Sequence, residues 1–395
     1  MSDKMKKRSL ETQAVHAGQV PEDATRSITT PIYLSSTYRM EFPGDESGYV
    51  YSRWSNPTRK ATERALAALE NGSEAYLFSS GLAAMNAVLN LLKSGDHVVA
   101  VNDLYGGSIR QFEQIWKKFG LDFSYIDGTD PVNFASAANE NTRLFWVETP
   151  TNPLLDLVDI EAVSKIAKAK KILLAVDNTF ATPFIQRPLE LGADIVHHSA
   201  SKYLSGHCDI IGGVVVAKEK ELAEKIFFNQ YAIGAQLNPF DSWLLLRGLK
   251  TLHLRMERHS VNAMKLVEYL ETVDLVDKIY FPGIDGNPIP NKMTMPGGMI
   301  SFTIKADFET VKTFATVTEL FILAESLGGV ESLINHPASM THSSIPKEER
   351  EARGITDSLV RLSVGIENVD DLLIDLRQAF AAIRSKIKQA SSSSQ

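Results

Sequence analysis

Short apolar runs that alternate with amphipathic helices over residues 59–250 constrain the fold more than any other feature of the sequence. The run Ile-Leu-Leu-Ala-Val at residues 172–176 contains no polar side chain, which is typical of a strand buried on both faces. The alternation predicts an α/β fold with a mostly parallel, doubly wound sheet. The predicted strands are residues 75–79, 97–101, 123–126, 144–148, 172–177, 195–198 and 210–216, and the predicted helices are 59–70, 82–92, 109–119 and 160–170.

Both ends of the chain depart from this alternation. Residues 1–58 are rich in turn formers and lack helical periodicity, but apolar stretches such as Ile32-Tyr33-Leu34 indicate an extended arm that lies on another surface. After residue 250 the pattern changes to a second α/β unit with a long first helix. The sequence therefore predicts an arm (1–58), a large domain (59–250) and a smaller C-terminal α/β domain (251–395). The elements expected in the last are helices at 251–270, 308–315 and from 369, and strands at 299–303 and 359–363.

Cysteine count and net charge exclude several classes of function. Cys208 is the only cysteine among 395 residues, so no intramolecular disulfide or cysteine-based zinc cluster can form, and the nine histidines show no metal-binding spacing. We therefore expect no metal and a reducing, cytoplasmic compartment. The net charge of −7 gives no basic character for binding nucleic acid, and no apolar window reaches the roughly 18 residues of a membrane span.

Lys202 is the first candidate catalytic residue. It stands in Ser199-Ala200-Ser201-Lys202, just after an apolar strand, and ligands of open α/β sheets bind at the carboxyl ends of strands. Two hydroxyls beside one lysine suit a phosphate that carries an aldehyde, because the serines can hydrogen-bond the phosphate while the amine condenses with the carbonyl. On its own, such a lysine is more often a solvent-exposed loop residue.

Two further segments strengthen this interpretation. Asp177 ends the apolar strand at 172–177, where it could cap a helix or could keep a pyridine nitrogen protonated, so that the ring withdraws electrons. The segment Ser79-Ser80-Gly81-Leu82 joins a strand directly to a helix, an arrangement that binds anions through free helix N–H groups. Together with Lys202, these segments predict a site for a cofactor with a phosphate, an aldehyde and a pyridine ring.

The chain resembles the cystathionine γ-synthase, cystathionine γ-lyase and methionine γ-lyase group of fold-type I pyridoxal-phosphate enzymes. The resemblance extends from about Thr12 to Phe380 and is specific because so many segments occur in one order. Those segments are Tyr51-Ser52-Arg53, Asn56-Pro57-Thr58, Ser80-Gly81-Leu82-Ala83-Ala84, Glu148-Thr149-Pro150-Thr151-Asn152-Pro153, Val176-Asp177-Asn178-Thr179, Ser201-Lys202-Tyr203-Leu204, Glu325-Ser326-Leu327-Gly328-Gly329 and Arg361-Leu362-Ser363-Val364-Gly365.

The resemblance implies that the cofactor is pyridoxal 5′-phosphate and assigns roles around its ring. Lys202 would carry the cofactor as a Schiff base and, once freed by substrate, would shuttle protons. Tyr105 would stack on the ring and help to protonate the leaving group. Asp177 would pair with the ring nitrogen, and Asn152 would hydrogen-bond the ring oxygen O3′.

The resemblance also implies how the phosphate is held and how subunits assemble. The N–H groups of Gly81 and Leu82 and the hydroxyls of Ser199 and Ser201 would bind the phosphate. In this family the counterparts of Tyr51 and Arg53 reach the phosphate of the neighbouring subunit. The arm would then contact that subunit, the active site would be shared across a dimer, and two dimers would form a homotetramer.

The expected substrate is a small amino acid. Arg361 would bind its α-carboxylate by bidentate geometry, Ser326 would also bind the substrate, and Glu325 would meet the distal amino group of cystathionine. Gly107 stands where methionine γ-lyases typically carry a cysteine, which also favours cystathionine. Val50 stands where many cystathionine enzymes have an acid, which weakens a second contact with the distal amine.

These features rank the candidate reactions. The leading interpretation is γ-elimination of L-cystathionine to cysteine, 2-oxobutyrate and ammonia, as by a cystathionine γ-lyase. Cystathionine γ-synthase, acting on an O-acylhomoserine with cysteine, comes next, followed by methionine γ-lyase or O-acetylhomoserine sulfhydrylase. A non-catalytic regulator or scaffold that binds the cofactor is the alternative outside enzymes. A nicotinamide-dependent dehydrogenase is rejected because no strand-linked Gly-X-Gly-X-X-Gly is present.

Overall fold

The protein is built on two sheets, each with its own apolar core. The computed structural model describes residues 8–284, 288–289, 292–343 and 346–393. Its strands are β1 Glu74–Phe78, β2 His97–Val101, β3 Asp122–Ile126, β4 Thr142–Glu148, β5 Leu173–Asp177, β6 Ile195–Ser199, β7 Gly213–Ala217, β8 Val276–Tyr280, β9 Met299–Ile304, β10 Ile322–Leu323, β11 Leu333–Asn335 and β12 Leu359–Ser363. Its α-helices are α1 Leu10–His16, α2 Pro57–Leu69, α3 Gly81–Leu89, α4 Gly106–Gln114, α5 Val132–Ala137, α6 Ile160–Lys170, α7 Thr182–Ile185, α8 Lys220–Ile233, α9 Pro239–Leu249, α10 Leu252–Leu270, α11 Phe308–Val317, α12 Lys347–Ala352 and α13 Val369–Ser393.

The larger sheet has seven strands in the order β1-β7-β6-β5-β4-β2-β3. Strands β6, β5, β4, β2 and β3 run parallel, whereas β7 is antiparallel to both of its neighbours. The mostly parallel sheet predicted from the apolar runs is therefore confirmed. The chain places β3 on one side of β2 and β4 on the other, and such a reversal opens a crevice at the carboxyl ends of the strands.

The smaller sheet belongs to the C-terminal part of the chain. Its five strands have the order β10-β11-β12-β9-β8, and every pair except β10–β11 is antiparallel. One face is covered by apolar side chains of α10, α11 and α13, with Phe302, Phe314 and Phe380 at the centre. Strand β12 thereby becomes a rigid support for any polar side chain on its other face.

The N-terminal part differs from the extended arm that the sequence predicted. Residues 10–16 form helix α1, which packs on α2 and α10. The rest of the arm, up to residue 56, is irregular, and residues 1–7 lie outside the described part. Arg59, in α2, is buried and donates to the carbonyls of Ser52 at 2.8 Å and Trp54 at 3.1 Å. These bonds attach the end of the arm to the large domain.

Several predicted elements need correction. The strand expected at 210–216 begins only at Gly213, where the backbone comes so close to α3 that an added Cβ would lie 2.1 Å from the carbonyl oxygen of Ser80. The helix expected at 109–119 is α4 followed by a separate 3₁₀ turn, Trp116–Phe119. Helices α8 and α9 were not predicted.

Candidate active site

A cavity of about 750 Å³ lies where the carboxyl ends of β4, β5 and β6 face the C-terminal sheet. Its wall contains most of the candidate site residues predicted from the sequence. Those in the wall are Gly81, Leu82, Tyr105, Asn152, Asp177, Ser199, Ser201, Lys202, Glu325, Ser326 and Arg361. The fold thus gathers residues that are as far apart in sequence as Gly81 and Arg361.

Lys202 follows β6 and directs its amine into this cavity. Its Nζ donates a 2.6 Å hydrogen bond to Oγ of Ser326, which comes from the loop after β10. Burial, with a smaller contribution from the positive charge of Arg361, lowers the pKa of Lys202 to about 8. A substantial fraction of the amine is therefore neutral near physiological pH, which an amine needs in order to attack an aldehyde or accept a proton from carbon.

Asp177, the last residue of β5, is held in the cavity wall as a carboxylate. Its Oδ1 accepts hydrogen bonds from the backbone N–H and the hydroxyl of Thr179, and its Oδ2 lies 2.9 Å from Nδ1 of His197. Burial by itself raises the pKa of Asp177, but His197 and the Thr179 donors outweigh it and hold that pKa below its ordinary value. Asp177 can therefore accept a further hydrogen bond from a cationic ring nitrogen.

The first turn of α3 forms a second wall. Ser80 caps this helix by accepting from the N–H of Ala83 at 3.0 Å, while the N–H groups of Gly81 and Leu82 begin the helix beside Ser199. An added Cβ at Gly81 would lie 3.1 Å from Cβ of Ser199, so the glycine keeps this corner open for a ligand. Free N–H groups at a helix N-terminus bind phosphate oxygens.

The two serines of the Lys202 segment differ in what they contact. Ser201 accepts a hydrogen bond from the N–H of Gly212 at 3.0 Å, and its own hydroxyl lies 3.4 Å from the carbonyl of Gly212. The backbone N–H of Ser199 donates to the hydroxyl of Thr179 at 2.9 Å. Both serine side chains line the cavity.

Arg361 projects from β12 with only 1% of its surface exposed. Its Nη1 donates to Oδ1 of Asn152 at 2.8 Å, and its Nη2 donates to the carbonyl of Ser326 at 3.1 Å. Among the residues that the structure describes, no carboxylate forms an ion pair with it, and its Nε has no protein partner. A buried guanidinium whose hydrogen-bond partners are both neutral is suited to bind a carboxylate that arrives with a substrate.

Tyr105 stands at the N-terminus of α4, and its neighbours determine where its ring can lie. The Tyr105 N–H donates to Oε2 of Glu148, 3.1 Å away. Burial and the nearby charge of Asp177 raise the pKa of Glu148 well above its ordinary value. The ring lies over Gly107, where an added Cβ would be only 2.3 Å from Cε1 of the tyrosine. Gly107 therefore makes room for the ring in this position.

Tyr51 and Arg53 do not line the cavity of their own chain. The guanidinium of Arg53 donates to the carbonyl of Tyr231 at 3.0 Å and lies 5.5 Å from the ring of Tyr51, which is 45% exposed. A single chain therefore does not bring these two predicted phosphate ligands to the other site residues.

Three residues of the site were not assigned from the sequence. Glu148 ends β4 as Asp177 ends β5, and that shared position at a strand terminus was a usable signal. Thr179 contacts Asp177 because the chain turns directly after β5. His197 contacts Asp177 because the two residues lie opposite each other where β5 pairs with β6. Neither arrangement is visible in a linear motif.

The residues present fit pyridoxal 5′-phosphate. An amine, an ionised carboxylate and a helix N-terminus with two serines surround one cavity, and they match the aldehyde, the ring nitrogen and the phosphate of that cofactor. Throughout the described ranges there is no cluster of histidine, cysteine or acidic residues that could hold a metal ion. No helix in the same ranges is long and apolar enough to cross a membrane.

Comparisons with known proteins agree on one family. Residues 11–381 match the model of the Cys/Met metabolism PLP-dependent enzymes. The chain is 52% identical to the cystathionine β-lyase of Coxiella burnetii over 380 residues, which cover 95% of this chain and 98% of that protein. It is similar to the crystal structure of cystathionine γ-lyase from Lactobacillus plantarum complexed with L-serine, with a TM-score of 0.92, 47% identity and coverage of 95% and 100%.

A second similar structure carries another name. It is cystathionine γ-synthase from Xanthomonas oryzae in complex with aminoacrylate and cysteine, with a TM-score of 0.93, 42% identity and coverage of 96% of this chain and 99% of that chain. The three relatives therefore carry three reaction names, of which β-lyase was not considered in the sequence analysis.

Proposed function

The chain belongs to the Cys/Met metabolism PLP-dependent enzyme family, a family of transsulfuration enzymes, and on this premise we propose that it catalyses γ-elimination of L-cystathionine. The products are cysteine, 2-oxobutyrate and ammonia. The observation that supports cystathionine as the substrate is a pair of charges around Lys202, with buried Arg361 on one side and exposed Glu325 at the rim. Cystathionine has an amino-acid group at each end, so its near carboxylate would bind Arg361 while its distal ammonium would meet Glu325.

The side chains divide the chemistry among themselves. Pyridoxal phosphate, when bound, supplies the electron-withdrawing ring that makes the substrate carbon acidic. Arg361 holds the carboxylate and so fixes which end of the substrate reacts. Lys202, whose pKa is lowered to about 8, takes the proton from carbon and returns it. Tyr105 would donate the proton that the departing sulfur requires, and Asp177, which His197 and Thr179 hold ionised, would pair with the ring nitrogen.

A β-lyase activity is the second candidate, because the 52% identical relative carries that name. The contact with Glu325 does not separate the two reactions. The distal ammonium of cystathionine is the same number of bonds from the α-carbon that loses its proton, whichever end of the molecule reacts. What separates them is a second proton removed at Cβ, which γ-elimination needs and β-elimination does not. The neutral amine of Lys202 is a base for that step.

We further propose that the protein is a homotetramer of two dimers and that each active site is shared between the two chains of a dimer. Each chain would contribute its Tyr51 and Arg53 to the site of the other chain. Their exclusion from the cavity of their own chain and the exposed apolar side chains of the arm support this arrangement. Large exposed apolar groups in one region mark a surface for association. Those in the arm include Ile28, Leu34, Met40, Phe42 and Trp54.

Product identification tests the proposed reaction. Incubation of the holoenzyme with L-cystathionine should release cysteine and 2-oxobutyrate. Homocysteine and pyruvate would identify a β-lyase, and formation of cystathionine from cysteine and an O-acylhomoserine, with cystathionine itself stable, would identify a synthase. Methionine and sulfide should be poor substrates. A protein that binds pyridoxal phosphate and turns over none of these compounds would support the regulator or scaffold.

A variant tests the contact with the distal ammonium. Glu325→Gln removes the charge at the rim and should lower kcat/KM for cystathionine by about twofold to fivefold, which is the range for one exposed charge pair. O-Acetylhomoserine lacks a distal ammonium, so its elimination should be unchanged by the same substitution. An equal loss with both substrates would contradict this role.

A further inference from the structure

His197 connects two walls of the cavity, the end of β5 and the first turn of α3. Its Nδ1 lies 2.9 Å from Oδ2 of Asp177, at the end of β5. Its Nε2 lies 2.8 Å from the carbonyl oxygen of Gly81, the first residue of α3. Only 3% of His197 is exposed, and its ring packs beside Trp146 with 5.3 Å between centroids. One side chain therefore joins the carboxylate to the helix N-terminus.

The two contacts determine how many protons His197 carries. A carbonyl oxygen can only accept a hydrogen bond, so Nε2 bears a proton. Asp177 already accepts two hydrogen bonds from Thr179, an environment that favours its ionised form. A carboxylate is likewise an acceptor, so Nδ1 bears a proton as well. His197 satisfies both neighbours as an imidazolium.

The electrostatics agree with this geometry. Burial lowers the pKa of His197, but the charge of Asp177 and its hydrogen bond raise that pKa by more, so it lies above its ordinary value. A second acid, Glu148, faces Asp177 across β4 and β5, and repulsion between them would otherwise favour protonation of one. The proton on Nδ1 stabilises the charge of Asp177 against this neighbour.

We propose that His197 is a positioning residue that keeps Asp177 ionised and aimed at the ring nitrogen of pyridoxal phosphate, and that ties it to the helix that binds the phosphate. The inference rests on the proposed role of Asp177 and is independent of which carbon–sulfur bond is broken. A carboxylate oxygen has two lone pairs, so Oδ2 of Asp177 can accept from His197 with one and from the ring N–H with the other. The imidazolium thereby strengthens binding of the ring and of the phosphate together.

The neighbouring His198 provides a matched control. It is equally buried on the same strand, but alternation along β6 turns its ring to the opposite face, where Nε2 lies 2.6 Å from Glu70. It does not line the cavity. Loss of His198 should therefore lower stability without changing how the cofactor is bound.

Amide substitutions separate the two contacts of His197. The side-chain nitrogen of asparagine takes the place of Nδ1, so His197→Asn keeps a donor to Asp177 and loses the one to Gly81. The nitrogen of glutamine takes the place of Nε2, so His197→Gln keeps the donor to Gly81 and loses the one to Asp177. His197→Leu removes both, and His198→Gln is the control.

The readouts are the ¹⁵N chemical shift of pyridoxal phosphate labelled at the ring nitrogen, in the saturated holoenzyme, and the dissociation constant of that cofactor. We expect a protonated ring nitrogen in the wild-type protein and in His197→Asn, and a shift toward the neutral pyridine value in His197→Gln and His197→Leu. Loss of a charge-assisted hydrogen bond should weaken cofactor binding roughly tenfold or more in His197→Leu.

Three outcomes would overturn the proposal. A wild-type ¹⁵N shift and affinity in His197→Leu would show that the residue only fills space. If His197→Leu does not fold, identical ¹⁵N chemical shifts in His197→Asn and His197→Gln would refute the proposal instead. An equal change in His198→Gln would show general damage to the strand. Asp177→Asn separately tests whether Asp177 is the partner of the ring nitrogen. A ring nitrogen that stays protonated in this variant would rule out that role and would leave the reaction assignment unchanged.

Discussion

The pH dependence of Lys202 reactivity is the prediction that follows most directly from the structure. Burial and the charge of Arg361 lower its pKa from 10.5 to about 8. A lysine amine reacts with electrophiles only when neutral, and burial disfavours its charged form. At pH 8 about half of the Lys202 amines are neutral, against about 0.3% for an amine of pKa 10.5, a difference of roughly 150-fold.

Competitive labelling of the apoprotein with isotopic acetic anhydride measures this quantity. Mass spectrometry of the Lys202 peptide as a function of pH should give a labelling rate that rises up to pH 8–9 and then levels. The exposed Lys265 serves as an internal standard in the same samples. Arg361→Gln removes a positive charge, so the midpoint for Lys202 should move to higher pH, whereas the distant Arg377→Gln should not move it.

One result would refute this reasoning. A Lys202 labelling rate that keeps rising beyond pH 10 would mean that the cavity does not exclude water from the amine in the way its burial implies. The same midpoint in Arg361→Gln and in the wild-type protein would show that the guanidinium does not act on Lys202.

Three further predictions address substrate binding, assembly and stability. Arg361→Lys should lower kcat/KM for cystathionine about 10- to 100-fold, mainly through KM, because a point charge replaces a bidentate donor; steady-state kinetics within twofold of wild type would contradict this. Mixing inactive Arg53→Ala with inactive Lys202→Ala subunits should restore about a quarter of the wild-type activity, because half of the dimers are hybrids and one of the two sites in each hybrid is intact. No recovery of activity after reassociation would contradict a shared site. Asn56→Ala removes the cap of α2, where its side chain accepts from two backbone N–H groups, and should cost about 1–2 kcal/mol or more in chemical denaturation; an unchanged midpoint would argue against the cap.

The elements that the sequence predicted best are those whose stability is local or whose environment is uniform. Strand β2 and helix α6 match their predicted bounds, because β2 is apolar after His97 and buried along its whole length, and α6 has an acidic cap at Asp159. Helix α1 has only seven residues, and it depends on packing against α2 and α10, which no local pattern reveals. Tertiary contacts therefore account for the part of the fold that the sequence did not predict.

The candidate site shows the same division. Lys202 and Asp177 could be singled out because Asp177 ends one buried parallel strand and Lys202 follows another, and such strand ends converge on one edge. His197 could not, because its contact with Asp177 comes from the pairing of β5 with β6, and its contact with Gly81 from the position of α3. A linear sequence does not state either arrangement.

The measurement that tests the central claim most directly is the identity of the lysine that binds the cofactor. Borohydride reduction of the holoenzyme fixes pyridoxal phosphate to the amine that holds it, and peptide mass spectrometry then locates the modification. The structure predicts the modification on Lys202 alone, with none recovered in a folded Lys202→Ala variant. Stoichiometric modification of another lysine, or of none, would contradict the account of this site.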